Sequence, residues 1–499
     1  MRFIPPAIQL LILVLLGSVV RFVFGYLFEP WTQAPDQLAW QLLIDEGSWS
    51  YDQLIHYPHE GGSVFIALLS RFLGWFSPLP SLVVSAFLLD FFSRLIQMLI
   101  VRRVFGQRDA LIFGIWTILA LPIILPWGTV NYGLHSLASL FPFVLMYLIH
   151  RSDSTPRSHL SIGLFLGFAV WFSYINVVLI PVYVLVEFFR SPRSRNALWS
   201  LLGLSIVLGI HVGVRTFADP GFQLDQIPSG SIRGTEFTLS DPETWKQLYK
   251  VWYGPLADSL LVVPNQENVY RPIRYVWLAL MGWGIMAYLR AVKLGNRPQV
   301  PSWLLVAVFL FLCLYALSPF YHNSPTVTHY VLYRHLCYIL PLLALFVTLG
   351  LNSGKLRQIG LVLFIGLSSY GSLLLFDQSK SEESGEKAAG WVLALKFGHD
   401  PQRLAGLIQG EHEAEYVEGI GWGMGMVLLR SDSIAGGSND EQIQQLVNAM
   451  EHFPLEYHPE FIQGVQFSTQ NTGTPQSEQA LFDRFLETYE SSATNSGKN

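Results

Sequence analysis

The sequence predicts an all-α fold: a polytopic transmembrane helical bundle that ends in a small helical extramembrane domain. Apolar runs long enough to cross a hydrocarbon layer of ~30 Å recur between residues 6 and 376. Of the 499 residues 51% are hydrophobic and 13% charged, with a mean hydropathy of +0.37, a balance that belongs to membrane proteins. Beyond Phe376 the chain turns polar for about the length of one small domain. Residues 1–376 are therefore read as the membrane domain and 377–499 as a tail domain.

Charge and cysteine content narrow the partners. The net charge is -5, and the basic residues sit in short clusters between spans, where they act as topology signals, so no nucleic-acid partner is implied. Cys313 and Cys337 both lie inside apolar runs and give neither a disulfide framework nor a pair with metal-ligand spacing.

The N-terminus carries Arg2 and an apolar stretch from Ile8 to Val20, followed by Arg21 and Phe22-Val23-Phe24 where a secretory signal would have small residues. It reads as a retained anchor. By length about eleven spans follow one another, at 6–28, 80–101, 109–127, 129–149, 160–174, 176–189, 197–214, 275–290, 301–318, 331–350 and 358–376. Five connectors are basic: Arg102-Arg103 with Arg108, Arg151 with Arg157, Arg190 with Arg193 and Arg195, Arg290 with Lys293 and Arg297, and Lys355 with Arg357. An N-inside arrangement puts all of them on the cytoplasmic side, as the positive-inside rule requires. The 29–79 loop, the 216–273 loop, the 319–330 segment and the tail then share the outer face, which for a bacterial inner membrane is periplasmic.

The first outer loop concentrates acid: Glu29, Asp36, Asp45, Glu46, Asp52 and Glu60, with His56 and His59 among them. Acid at one such point suggests a reaction site. Asp36 to Asp45 reads as a helix whose apolar stripe of Leu38, Ala39, Leu42 and Leu43 would lie on the membrane surface, with Gly47 as its stop. Ser63 to Trp75 is too short to span comfortably and reads as a second interfacial helix. In the tail, Glu413 to Trp422 is echoed by Tyr457 to Phe467, with acid, aromatic, Gly and a second aromatic in the same order. That weak repeat predicts stacked helical hairpins packed through Tyr416, Trp422, Phe461 and Phe467, with glycines at the closest approach.

The run Ala34-Pro35-Asp36-Gln37-Leu38-Ala39-Trp40 through Asp45-Glu46-Gly47 resembles the opening of the first outer loop in the GT-C superfamily of membrane glycosyltransferases, the group that includes protein mannosyltransferases and aminoarabinose transferases. Tyr57-Pro58-His59-Glu60-Gly61-Gly62 resembles that loop's approach to an interfacial helix, and Arg102-Arg103-Val104-Phe105-Gly106 with Ala110 resembles the link between the second and third spans. Tyr333-Arg334-His335 through Tyr338 to Pro341 is similar to the late outer segment whose arginine meets donor phosphate in relatives.

The resemblance implies an inverting transferase that moves a sugar from a polyprenyl-phosphate donor to a lipid, glycan or protein acceptor. Such a transfer needs a carboxylate to take the acceptor's proton and a cation to neutralise the departing phosphate. Asp36 fits the first role and Arg334 the second, with Arg21 as a further phosphate contact. The bland readings are a helix N-terminal acid for Asp36 and snorkelling interfacial cations for the two arginines. Asp52, His56, His59 and Glu60 are candidates for acceptor or sugar contacts. Gln37 stands where many relatives have a second acid, so a single-carboxylate mechanism is expected; no cofactor or metal site is assigned, and a divalent metal stays open. Asp90 and Arg94, four apart in one span, form either a structural ion pair or the wall of a donor cavity. Two rival readings stand beside the enzyme: a transporter or flippase of lipid-linked glycan, and a non-catalytic scaffold that kept the fold.

Overall fold

A computed structural model describes residues 5–28, 35–46, 61–76, 79–119, 135–152, 155–190, 196–218, 267–316, 334–352, 354–377, 385–408, 413–429, 439–470 and 475–496. The described residues are helical, without strands. They divide into two compact units, residues 1–30 with 50–380, and residues 31–49 with 381–499.

The first unit is built from α1 (Pro6–Phe28), α3 (Gly62–Gly74), α4 (Ser81–Phe105), α5 (Gln107–Leu119), α6 (His135–Ala138), α7 (Leu140–Arg151), α8 (Pro156–Phe172), α9 (Leu179–Arg190), α10 (Asn196–Ala218), α11 (Glu267–Lys293), α12 (Leu304–Ala316), α13 (Leu340–Leu351) and α14 (Lys355–Asp377). Four of these, α1, α4, α10 and α11, contain stretches long and apolar enough to cross a membrane, and α10 keeps Leu198, Leu201, Leu202 and Ile210 exposed as a lipid-facing helix would. The chain is a membrane protein by this measure. The helices fall where the apolar runs lie, but α7 and α13 have only 12 residues each, or about 18 Å, and do not reach across the hydrocarbon alone. The stretch at Tyr174-Ile175-Asn176 is a 3-10 turn, Tyr174–Val178, steadied by the Asn176 amide donating to the Ala169 carbonyl at 2.9 Å.

Helix pairs in this unit meet through small residues. A Cβ on Gly163 of α8 would stand 2.0 Å from the Ser200 carbonyl oxygen of α10, and one on Gly350 of α13 would stand 1.8 Å from that of Gly284 in α11. Between apolar helices in lipid, close backbone approach of this kind supplies the packing that a hydrophobic effect cannot. Gly61 serves the same purpose at the start of α3, donating its N–H to the Trp171 carbonyl at 2.7 Å with the indole where a Cβ would be. From there α3 runs with Ile66, Ala67 and Ser70 buried and the apolar Phe65, Leu68 and Phe72 exposed.

One end of the unit gathers described residues that flank or belong to each of the five basic connectors. Gln107 donates to the Pro6 carbonyl at 3.1 Å, and Asp109 takes Arg297 at 2.6 Å and Asn352 at 2.7 Å. Phe189 stacks on Trp303 with ring centres 5.0 Å apart, and Ser200 donates to the carbonyl of His159 at 2.9 Å. The chain start and the connectors near 102–109, 151–159, 187–200, 290–303 and 352–357 therefore share a face.

The second unit is a stack of helices. Residues 381–499 supply α15 (Gly385–Phe397), α16 (Pro401–Leu407), α17 (Glu413–Leu429), α18 (Asn439–Met450), α19 (His458–Gln470) and α20 (Pro475–Ser496). Helices α15, α17 and α19 lie parallel, and each seam needs glycine: a Cβ on Gly419 would be 1.8 Å from the Lys387 carbonyl oxygen, and one on Gly464 would be 1.9 Å from that of Glu418. Trp391 stacks on Trp422 at 5.5 Å and Trp422 meets Phe467 edge-on at 4.9 Å, so one aromatic from each helix joins a ladder. The expected pair of hairpins is a set of three, α15/α16, α17/α18 and α19/α20.

The helix of the first outer loop, α2 (Pro35–Glu46), belongs to this stack. Its apolar side, with Leu38, Ala39, Trp40, Leu43 and Ile44 buried, packs on α15 and α16 rather than resting on a lipid surface. Glu46 takes a hydrogen bond from Arg403 at 2.8 Å, across 357 residues of sequence. An apolar stripe fixes that a helix has a buried face but not what buries it, which is why the expected membrane contact gives way to this one. A repeat stack also requires a terminal helix to cover its open end, and α2 does so for α15.

Candidate functional site: a buried arginine pair around Asp90

Charge enters the apolar unit at one place above all. Helix α4 brings Asp90 about 14 Å and Arg94 about 20 Å along its axis from Ser81, counting 1.5 Å per residue. On α1, Arg21 lies about 23 Å from Pro6 by the same count. The three are 0–2% exposed. Arg21 grips Asp90 Oδ2 through Nε at 2.8 Å and through Nη2, and Arg94 Nε donates to Asp90 Oδ1 at 3.2 Å. One carboxylate thus serves two guanidinium groups, and Arg21 is a buried ion-pair partner rather than a snorkelling cation.

The remaining donors of Arg94 go to neutral oxygens. Its Nη2 reaches the Ser136 hydroxyl at 2.8 Å, and its Nη1 reaches Gln97 Oε1 at 2.9 Å and the Ser139 hydroxyl at 3.5 Å. Gln97 in turn donates to the Ser139 carbonyl at 3.1 Å, and Ser139 donates to the Ser136 carbonyl. These serines sit on the turn α6 and at the start of α7, so the short helix α7 begins at the depth of the arginines and not at the edge of the bundle. The 3-10 turn Arg334–Tyr338, which leads into α13, packs on α6. Two half-length helices therefore start side by side next to Arg94.

This arrangement differs chemically from the second buried polar node. Asp109 is matched by one cation, Arg297, and by the amide of Asn352, and charge is balanced there. Around Asp90 the second arginine is otherwise held by hydroxyls and an amide, and among the described residues it has no carboxylate that it does not share with Arg21. In a low-dielectric interior such a cation favours an incoming anion.

The candidates from the sequence distribute as follows. Asp36 is the second residue of α2, in the second unit, and Arg334 opens the 3-10 turn in the first; both side chains lie outside the described residues. Asp52, His56, His59 and Glu60 also lie outside them. Asp45 accepts from Gln41 at 2.9 Å and Glu46 pairs with Arg403, so both acids at the unfavourable end of α2 have partners. Among the described residues no three His, Cys, Asp or Glu side chains converge as metal ligands. Gln97, Ser136 and Ser139 were not foreseen. Gln97 could have been, since it repeats the Asp90 face of α4 seven residues on, whereas the serines carry no sequence signal beyond their spacing of three. No family model matches the chain, and no match is found among curated proteins or solved structures.

Proposed function

We propose that the protein is an inverting membrane glycosyltransferase of GT-C type, which takes a sugar from a polyprenyl-phosphate donor on the outer face of a bacterial inner membrane. The observation that carries this reading is Arg94: a buried cation, set among apolar helices, whose only carboxylate among the described residues is shared with Arg21. A phosphate attached to a long apolar chain is the ligand that suits both the charge and the surroundings. The resemblance of the Asp36 and Arg334 segments to the GT-C pattern supplies the reaction type.

In the proposed step the Asp36 carboxylate takes the proton of the acceptor hydroxyl as its oxygen attacks the anomeric carbon. The bond from that carbon to the phosphate oxygen breaks on the opposite side, and polyprenyl phosphate leaves with the electron pair. Arginine charge, from Arg334 and from the Arg21–Arg94 pair, offsets the phosphate.

The fold supports the topology that goes with this reading. Because α2 and the tail are one unit, the chain from 50 to 380 crosses the membrane an even number of times, or else the two could not meet. Among the described residues the helices of that stretch long and apolar enough to cross are α4, α10 and α11, so further crossings come from the other apolar segments. Ten crossings there, eleven with α1, satisfy the parity and leave the tail outside.

The test is direct. Asp36→Asn should leave membrane insertion intact and lower transfer by ~10²-fold or more. Arg334→Ala should weaken donor use, with Lys restoring it only in part because it lacks the forked geometry. Glycan or glycolipid product is assayed in cells lacking the native copy. Full activity of Asp36→Asn would move the base elsewhere, and no glycan phenotype on deletion of the gene would favour the scaffold.

A further inference from the structure

Far along the chain from Asp90, a cavity of about 210 Å3 lies between α8, α9 and α10. Its walls are Leu166, Ile180, Val184, Phe188, Leu201 and Leu204. It meets the apolar surface of the bundle, where Val184 is 50%, Phe188 61% and Leu201 49% exposed. Its floor is polar, formed by Glu187, Tyr183 and Ser200.

The hydroxyls of that floor are already committed. Ser200 donates to the His159 carbonyl at 2.9 Å, so at its 2.7 Å contact with Tyr183 it must accept. The Tyr183 proton then goes to Ser200, and the 2.6 Å contact between Tyr183 and His159 requires Nδ1–H of the imidazole to donate. The chain of donors closes on itself.

Glu187 is left out of it. The residue is 8% exposed, the nearest basic nitrogen among the described residues is His159 Nδ1 at 3.7 Å, and that nitrogen has already given its proton to Tyr183. Among the described residues the carboxylate has no hydrogen bond. It also stands in the last turn of α9, where the carbonyl ends of the helix repel negative charge. A carboxylate so placed, facing an apolar groove, needs a cation that brings its own N–H donors.

We propose that this groove binds a bilayer phospholipid with a primary ammonium head group, phosphatidylethanolamine, whose ammonium donates to Glu187 and whose acyl chain lies against Ile180, Val184 and Leu204. Charge selects the head group: phosphatidylcholine has no N–H to give, and phosphatidylglycerol adds a negative charge beside the carboxylate. The groove lies at the end of the unit that holds the basic connectors, so it is a separate site from the arginine pair, and the proposal stands without the transferase reading.

Native mass spectrometry of the full-length protein in detergent with an equimolar mixture of the three lipids tests it. The wild type should retain phosphatidylethanolamine over each of the others by roughly tenfold, as expected for one charge-assisted hydrogen bond. In Glu187→Gln the three should be retained about equally. Val184→Trp, which fills the groove from its exposed edge and keeps the carboxylate, should lose retention of all three. Equal retention by the wild type, or a preference that survives in Glu187→Gln, would overturn the proposal.

Discussion

The two buried polar nodes of the first unit are made of the same parts and reach opposite results. At Asp109 one carboxylate meets one arginine and one amide, and the node sits where three connectors converge, with Arg297 19% exposed at its side chain. At Asp90 one carboxylate meets two arginines, both nearly inaccessible, deep along α1 and α4. The first joins three connectors at one end of the unit, with one cation for one carboxylate. The second shares one carboxylate between two buried guanidinium groups, at a depth where burying charge is expensive.

The difference can be broken from either side. Asp90→Ala has the largest expected effect, because it strands two buried guanidinium groups at once: a loss of about 3–5 kcal/mol, seen as failure to accumulate folded protein in the membrane. Normal yield of that variant would mean that the arginines are paired by other groups and that the comparison fails. Arg297→Met comes next. It removes the single cation at Asp109 but in a partly exposed place, so about 1–3 kcal/mol should be lost in a thermal-shift measurement, with activity per folded molecule unchanged. The smallest stability change is expected from Arg94→Met, which leaves Arg21 and Asp90 as a one-to-one pair: under about 1 kcal/mol. If the site takes donor phosphate, the same substitution lowers transfer by ~10²-fold. A variant that is markedly less stable than Arg297→Met would make Arg94 structural, and the asymmetry between the nodes would vanish.

Much of this architecture was legible in the sequence, and the exceptions share a cause. The apolar runs located the helices of the first unit because burial in lipid demands them. Asp90 and Arg94 could be paired at a spacing of four, but Arg21 lies 69 residues from Asp90, and no local pattern points to it. The tail repeat was visible in α17 and α19, where Gly419 and Gly464 precede Trp422 and Phe467 by three residues. In α15 the matching position before Trp391 is Ala388, and the third hairpin escaped notice for that one methyl group. The destination of α2 was hidden for another reason: Leu38, Leu42 and Leu43 would serve equally against lipid or against protein.

That last placement sets a clock. Helix α2 ends at Glu46 and its partner α15 begins at Gly385, so about 340 residues are made after the helix emerges and before the surface it needs exists. At roughly 5–20 residues per second of synthesis the interval is on the order of 20–70 s. Through it, Trp40 and Ile44 have no native neighbours in the tail, and the stack that they complete cannot close until translation is nearly over. A ribosome stalled anywhere in the first unit therefore leaves a loop that no amount of correct membrane insertion can fold.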